Sequence, residues 1–169
     1  MIEKLRMFDA GDATAAFEYG DACGDVILLT GLVIATDIEV VKATFAAFAA
    51  RDLEAVLALA SPDIEFTAVT GEQAGRTEPY RGHEGMRQYF RDVASVWEEL
   101  HLSPREFRAS DDLILVTGRV SARSRSRTVS GSTGWLWRVR DGKVVYVRVY
   151  GSAADATAAF EEGSDPGDT

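Results

Sequence analysis

Apolar residues recur every three or four positions between Val41 and Trp97, and every second position from His101 to Tyr150. This change of period is the strongest constraint on the fold. A 3.6-residue repeat buries one stripe of a helix, whereas a two-residue repeat buries one face of a strand. Helices followed by a meander of long strands predict an α+β domain: three N-terminal helices packed on a curved antiparallel sheet. A bent sheet with helices on one face leaves a concavity between them, and such concavities hold ligands.

Local signals place the elements. Thr36-Asp37-Ile38-Glu39 has the spacing of a capping box and predicts the start of the first helix, with Val41, Phe45 and Phe48 as its buried stripe. Arg51 breaks that stripe, and Asp52 is positioned to cap a second helix carrying Leu53, Val56, Leu57 and Ala60. Ser61-Pro62-Asp63 ends it, because the residue before a proline is pushed out of the α region. Residues 64–69 read as a strand and 71–79 as a loop. A third helix is expected from about His83, with Glu84 near its positive end and Met86, Phe90, Val93 and Trp97 facing inward. Strands are expected at about 102–109, 113–128, 133–140 and 143–150, then a closing helix over 153–162. Asp111-Asp112 and Asp141-Gly142 mark turns, the second a strong hairpin signal because glycine accepts positive φ.

The main domain is thus expected over residues 36–163, with 164–169 as a flexible tail. Residues 1–35 form an N-terminal extension. Within it, Asp12 to Glu18 is identical to Asp155 to Glu161, both reading DATAAFE. One reading makes the extension a remnant of the last strand and helix of a preceding, related domain; the other is coincidence in alanine-rich sequence. The run Val26 to Ala35 is too short to span a bilayer, and the acidic segment before it does not suit a signal peptide.

A net charge of −9 over 169 residues repels phosphate backbones and anionic lipid, so neither nucleic acid nor a membrane is expected as partner. Cys23 is the single cysteine, which excludes an internal disulfide and suits a reducing cytoplasm. With Cys23, His83 and His101 as the only soft ligands, no zinc site is expected, and no cofactor motif is present.

Three stretches carry a family resemblance: Phe45 to Ala55 (FAAFAARDLEA), Tyr80 to Arg87 (YRGHEGMR) and Trp137 to Val145 (WRVRDGKVV), with Val149-Tyr150 before an alanine-rich helix. These resemble the nuclear transport factor 2-like superfamily, specifically its SnoaL-like branch, over Ile38 to Glu162. The resemblance implies a cone-shaped fold, a central small-molecule pocket and a homodimer. It does not imply one activity, since the superfamily holds isomerases, cyclases, hydrolases and non-catalytic binders on one scaffold.

Residue by residue, the chemistries of the family find little support. Ketosteroid isomerases need a carboxylate base with a tyrosine and a protonated acid as oxyanion hole; the matching positions hold Ala68, Thr44 and Trp135. Limonene epoxide hydrolase-like enzymes use two aspartates and an arginine. Arg119 matches the arginine, while Ser121 and Val149 stand at the aspartate positions. Glu65 and Glu106 are candidate acids for a SnoaL-like cyclase, though neither matches the family position.

The catalytic candidates are therefore His83, whose imidazole can act as general base, and Arg119, as electrophile. The plainer alternatives are a histidine that decorates a helix start, and an arginine stripe (Arg119, Arg123, Arg125, Arg127) facing solvent or a dimer partner. Ile114, Val116, Val120 and Ala122 carry the buried phase of that strand, so Arg119 reaches the pocket only if a bulge at Gly118 shifts it. Phe45, Phe48, Phe66, Tyr80, Trp97 and Trp137 are the candidate ligand-binding residues, with Trp135 as a further apolar wall. Trp135, Tyr146, Arg148 and Tyr150 are also candidates to cover the outer sheet face in a dimer.

Three functions compete: a binder of a small apolar or carbonyl-containing metabolite, an isomerase, cyclase or hydrolase acting through His83 and Arg119, and a non-catalytic dimerisation module. The pocket interior separates them. An acid or base pair supports the enzyme, a dry aromatic cavity supports the binder, and a filled core supports the module.

Overall fold

The computed structural model describes the backbone of residues 24–163 and the side chains of residues 36–163. Two compact units divide the chain at Thr36/Asp37, and the side-chain contacts below belong to the second. The upstream DATAAFE copy and residues 164–169 lie outside the described residues. In chain order the elements are α1 (Gly24–Ala49), α2 (Leu53–Leu59), β1 (Ala60–Thr67), α3 (Val69–Gln73), β2 (Tyr80–Arg81) and α4 (Gly82–Val96). The long strands β3 (Glu99–Ser110), β4 (Leu113–Arg123), β5 (Thr128–Arg140) and β6 (Lys143–Tyr150) follow, then α5 (Ala153–Glu161).

Several boundaries differ from the sequence expectation at the helical end. Thr36 does not start a helix. The backbone of α1 runs through it from Gly24, since residues 26–35 contain no proline and a single interior glycine costs only about 1 kcal/mol. Residues 69–73, expected as strand end and loop, form the short helix α3. β1 already begins at Ala60, which was expected on the second helix, while the junction of α1 and α2 is as expected. Arg51 adopts φ 57° and closes α1, and the Asp52 carboxylate caps α2 by accepting from Ala55 N at 3.1 Å.

The sheet has the order β2-β1-β6-β5-β4-β3. Every neighbour pair is antiparallel except β1 and β6, which run parallel. The β5–β6 hairpin turns at Asp141 and Gly142, whose φ values of 52° and 72° are those of a two-residue primed turn. The β4–β5 turn falls at residues 124–127, earlier than the gap between the strands expected at 113–128 and 133–140, which contains Ser130, Gly131 and Ser132. Those residues pair instead as strand, Gly131 opposite Val120. Arg125 and Arg127 therefore lie at the turn rather than in a four-arginine strand face.

An extra residue does occur near Gly118, but in the opposing strand. Pro104 pairs with Gly118 and Glu106 with Thr117, leaving Arg105 as the bulged residue of β3. The inward positions of β3 accordingly shift from Leu100 and Leu102 to Phe107 and Ala109. In β4 the phase is unbroken.

The inner face carries Ile114, Val116, Ala122, Trp135, Trp137, Val144 and Val147, packed with Phe45 and Phe48 of α1 and with Met86, Tyr89 and Val93 of α4. The outer face carries a smaller cluster, in which Ala156 and Phe160 of α5 cover Leu113, Leu115, Leu136 and Tyr146. This corrects two dimer candidates. Trp135 points inward, two residues from Trp137 on the same face. Tyr146 is already buried within one chain.

Candidate functional site

Between α1, α4 and the inner sheet face lies a cavity of about 180 Å³. It survives because the sheet alternates large and small residues where the helices stand off it. Trp135 and Trp137 fill β5 opposite Val116 and Ile114, but farther along the pair Val120 and Ala122 face only Gly131 and Val129 and do not reach across. Phe45 of α1 braces the aromatic wall, with its ring 5.1 Å from Trp135, edge to face, and 5.0 Å from Trp137. Such aromatic pairs add about 0.5–1.5 kcal/mol beyond their burial.

Of the sequence-predicted binding residues, the structure brings Phe45, Phe48, Phe66, Trp97 and Trp137 together around this cavity. Phe66 and Trp137 share one face of the sheet. Tyr80 is not among the lining residues. It is buried behind the wall, where its hydroxyl donates to Asp92 Oδ2 at 2.7 Å. Arg76 Nε (2.8 Å) and Gln88 Nε2 (2.7 Å) donate to the same carboxylate. Burial disfavours the charged form of Asp92, but the hydrogen bonds from Tyr80, Arg76 and Gln88 outweigh it and hold the carboxyl below its ordinary range. This cluster ties the segment after α3 to α4 and is structural.

The two catalytic candidates are not brought together at the cavity. His83 Nε2–H donates to the Ala60 carbonyl at 3.0 Å, tying the first turn of α4 to the start of β1, and His83 does not line the cavity. Arg119 is exposed, paired in register with Ser103 and Ser132. It stays on the face opposite Val120 because the bulge is in β3. Glu65 pairs with Arg81 at 2.6 Å, and Glu106 lies near α5 beside Thr117 and Ala153. Among the described lining residues there is no carboxylate, histidine, lysine, arginine or cysteine.

The polar groups that do line the cavity are mostly spent. Thr44 Oγ1 donates to Val40 O at 2.8 Å, Thr133 Oγ1 to Tyr150 O at 2.8 Å, and Trp97 Nε1 to Thr70 Oγ1 at 3.1 Å. Tyr89 also lines the wall; burial, reinforced by Tyr80, pushes its hydroxyl well above the usual tyrosine range, so it stays a neutral donor. Such a lining can exclude water and hold an apolar body, but it has no group that gains or loses a proton near neutral pH. Among the described residues the exposed large apolar side chains are Val69 (36%) and Val129 (37%). Both line the cavity, which marks its mouth. Beside it, the Arg127 guanidinium sits 5.4 Å over the Trp97 ring.

Sequence reasoning missed Tyr89, Thr70, Val120, Ala122 and Val129 as cavity residues. Tyr89 lies three residues after Met86 and four before Val93, a spacing that fits the buried stripe as well as Phe90 does. Among the described residues, no group of His, Cys, Asp or Glu could hold a metal ion, and no helix is long and apolar enough to cross a membrane.

The sequence profile described as the SnoaL-like domain matches residues 41–147. Among curated proteins none matches the chain. The fold is similar to that of an NTF2-like protein of Burkholderia pseudomallei, at 26% identity and TM-score 0.63, covering 73% of this chain and 95% of that one. TerC, co-crystallised with polyporic acid, is similar at 29% identity and TM-score 0.63, over 75% and 96%. A Mycobacterium tuberculosis protein in complex with estradiol-17β-hemisuccinate shares the fold at 18% identity and TM-score 0.56, over 68% and 92%.

Proposed function

Because the chain belongs to the SnoaL-like domain family, we propose that it holds a small apolar or carbonyl-containing metabolite in the cavity without itself transforming it. The observation that carries this reading is the lining, mainly aromatic and aliphatic with no acid or base among the described residues. The size is suitable, since a dry apolar cavity of about 150 Å³ takes up benzene-sized molecules. TerC, with a small molecule in its crystals, lends support.

Calorimetric titration with one-ring aromatics should give saturable binding at one site per chain. Ala122→Leu, which puts a larger side chain into the hollow, should weaken that binding about tenfold while leaving the melting temperature unchanged or higher. Equal binding by both proteins would place the ligand elsewhere, and no saturable binding would end the proposal.

The homodimer implied by the family resemblance has one suitable surface in our reading, the outer face of β3 to β5 away from α5, where Ser103, Arg119, Ser121 and Ser132 are exposed. Arg119→Glu should then yield a monomer by light scattering while the cavity binds as before. An unchanged mass would exclude this face.

A further inference from the structure

The indole Nε1–H of Trp137 is buried with no hydrogen-bond partner, on a residue only 4% exposed that lines the cavity. A buried donor left unmade carries its full desolvation penalty, and native structures rarely leave one without a reason. Trp97, in the same wall, shows the usual solution by donating to Thr70. Tyr89 on α4 supplies a second lining hydroxyl, and none of the described residues accepts from it. Two unspent donors thus belong to residues that wall one apolar space, with no cation among the described lining residues to accompany a buried anion.

We propose that the ligand is a neutral, largely apolar molecule bearing a carbonyl oxygen, and that Trp137 Nε1–H is the donor that fixes this oxygen, with Tyr89 Oη–H as second donor. This rests on the cavity being the ligand site. It narrows the ligand class and assigns recognition to an atom. The aromatic wall then contributes affinity in proportion to area, whereas the indole contributes direction. A hydrocarbon of the same shape fills the hollow but leaves Nε1 unmet, so the site discriminates by chemistry as well as size.

Acetophenone and α-methylstyrene test this directly, because they differ only in a carbonyl oxygen replaced by a methylene of similar size. In 15N-labelled protein, the Trp137 indole proton, assigned through the backbone, should move downfield with acetophenone and stay in place with α-methylstyrene. Trp137→Phe, which keeps the ring packing, should weaken acetophenone binding about tenfold and α-methylstyrene by no more than about twofold. If both compounds bind and the indole proton ignores the oxygen, or the variant weakens both equally, the donor assignment is overturned and the cavity reading stands. If neither compound binds, both fall. The indole measurement uses the unaltered protein, so it decides the matter even if Trp137→Phe folds poorly.

Discussion

Replacing Gly118 by alanine is expected to remove about 3 kcal/mol of folding stability, because the added methyl has nowhere to go. A Cβ built at Gly118 falls 2.2 Å from the Ser103 carbonyl oxygen and 2.9 Å from Pro104 Cα. Both are backbone atoms of β3, so no rotamer change relieves the clash. The strands must separate at the place where the Arg105 bulge bends the sheet. Gly131 is the matched control on the neighbouring strand. A Cβ added there meets nothing within 4 Å, so Gly131→Ala should be neutral or stabilise by about 0.5 kcal/mol through the unfolded chain. Urea unfolding of the two variants measures the contrast. Equal stabilities would mean that β3 and β4 are not in the register described.

The second large effect centres on Asp92. Its side chain is 13% exposed and accepts from Tyr80, Arg76 and Gln88. Asp92→Ala orphans the buried Tyr80 hydroxyl and removes two further bonds to a charged acceptor, for a loss of about 3 kcal/mol. Arg76, 37% exposed, adds little to this, because solvent screens it. The pH dependence has a definite sign. The carboxyl is held below its ordinary value of 3.8 in the folded protein. Its contribution is therefore complete above the unfolded-state value and disappears as pH falls through the lower folded-state value. Thermal melts should show the native protein losing stability below about pH 4, with a shallower loss in Asp92→Asn. Parallel acid profiles would show that Asp92 is not the group responsible.

How much of this was legible in advance depended on whether a signal was local. Asp52 and Asp141-Gly142 act through their own backbone, so cap and hairpin could be placed to the residue. The β4 phase was equally clear in Ile114, Val116, Val120 and Ala122, and it argued that Arg119 faces outward. The bulge invoked to turn Arg119 inward was nearly in the right place but on the wrong strand. The switch from Leu100 and Leu102 to Phe107 and Ala109 was the available sign of it. Tyr80 was misplaced because its role depends on Asp92, an acceptor twelve residues away on another element. A hollow, finally, is a shortfall of volume summed over α1, α4 and five strands, and no single residue announces it.

The parallel pairing of β1 with β6 has a consequence for how the molecule assembles. Phe66 and Val147 are register partners, so the strand that carries Phe66, although it can pair with β2 early, has to wait for the last strand of the meander before it joins the main sheet. Closing so long a connection is entropically slow, whereas β3 to β6 zip together through short hairpins. On the ribosome, the N-terminal wall of the cavity would stay apart from the meander until Tyr150 has left the exit tunnel.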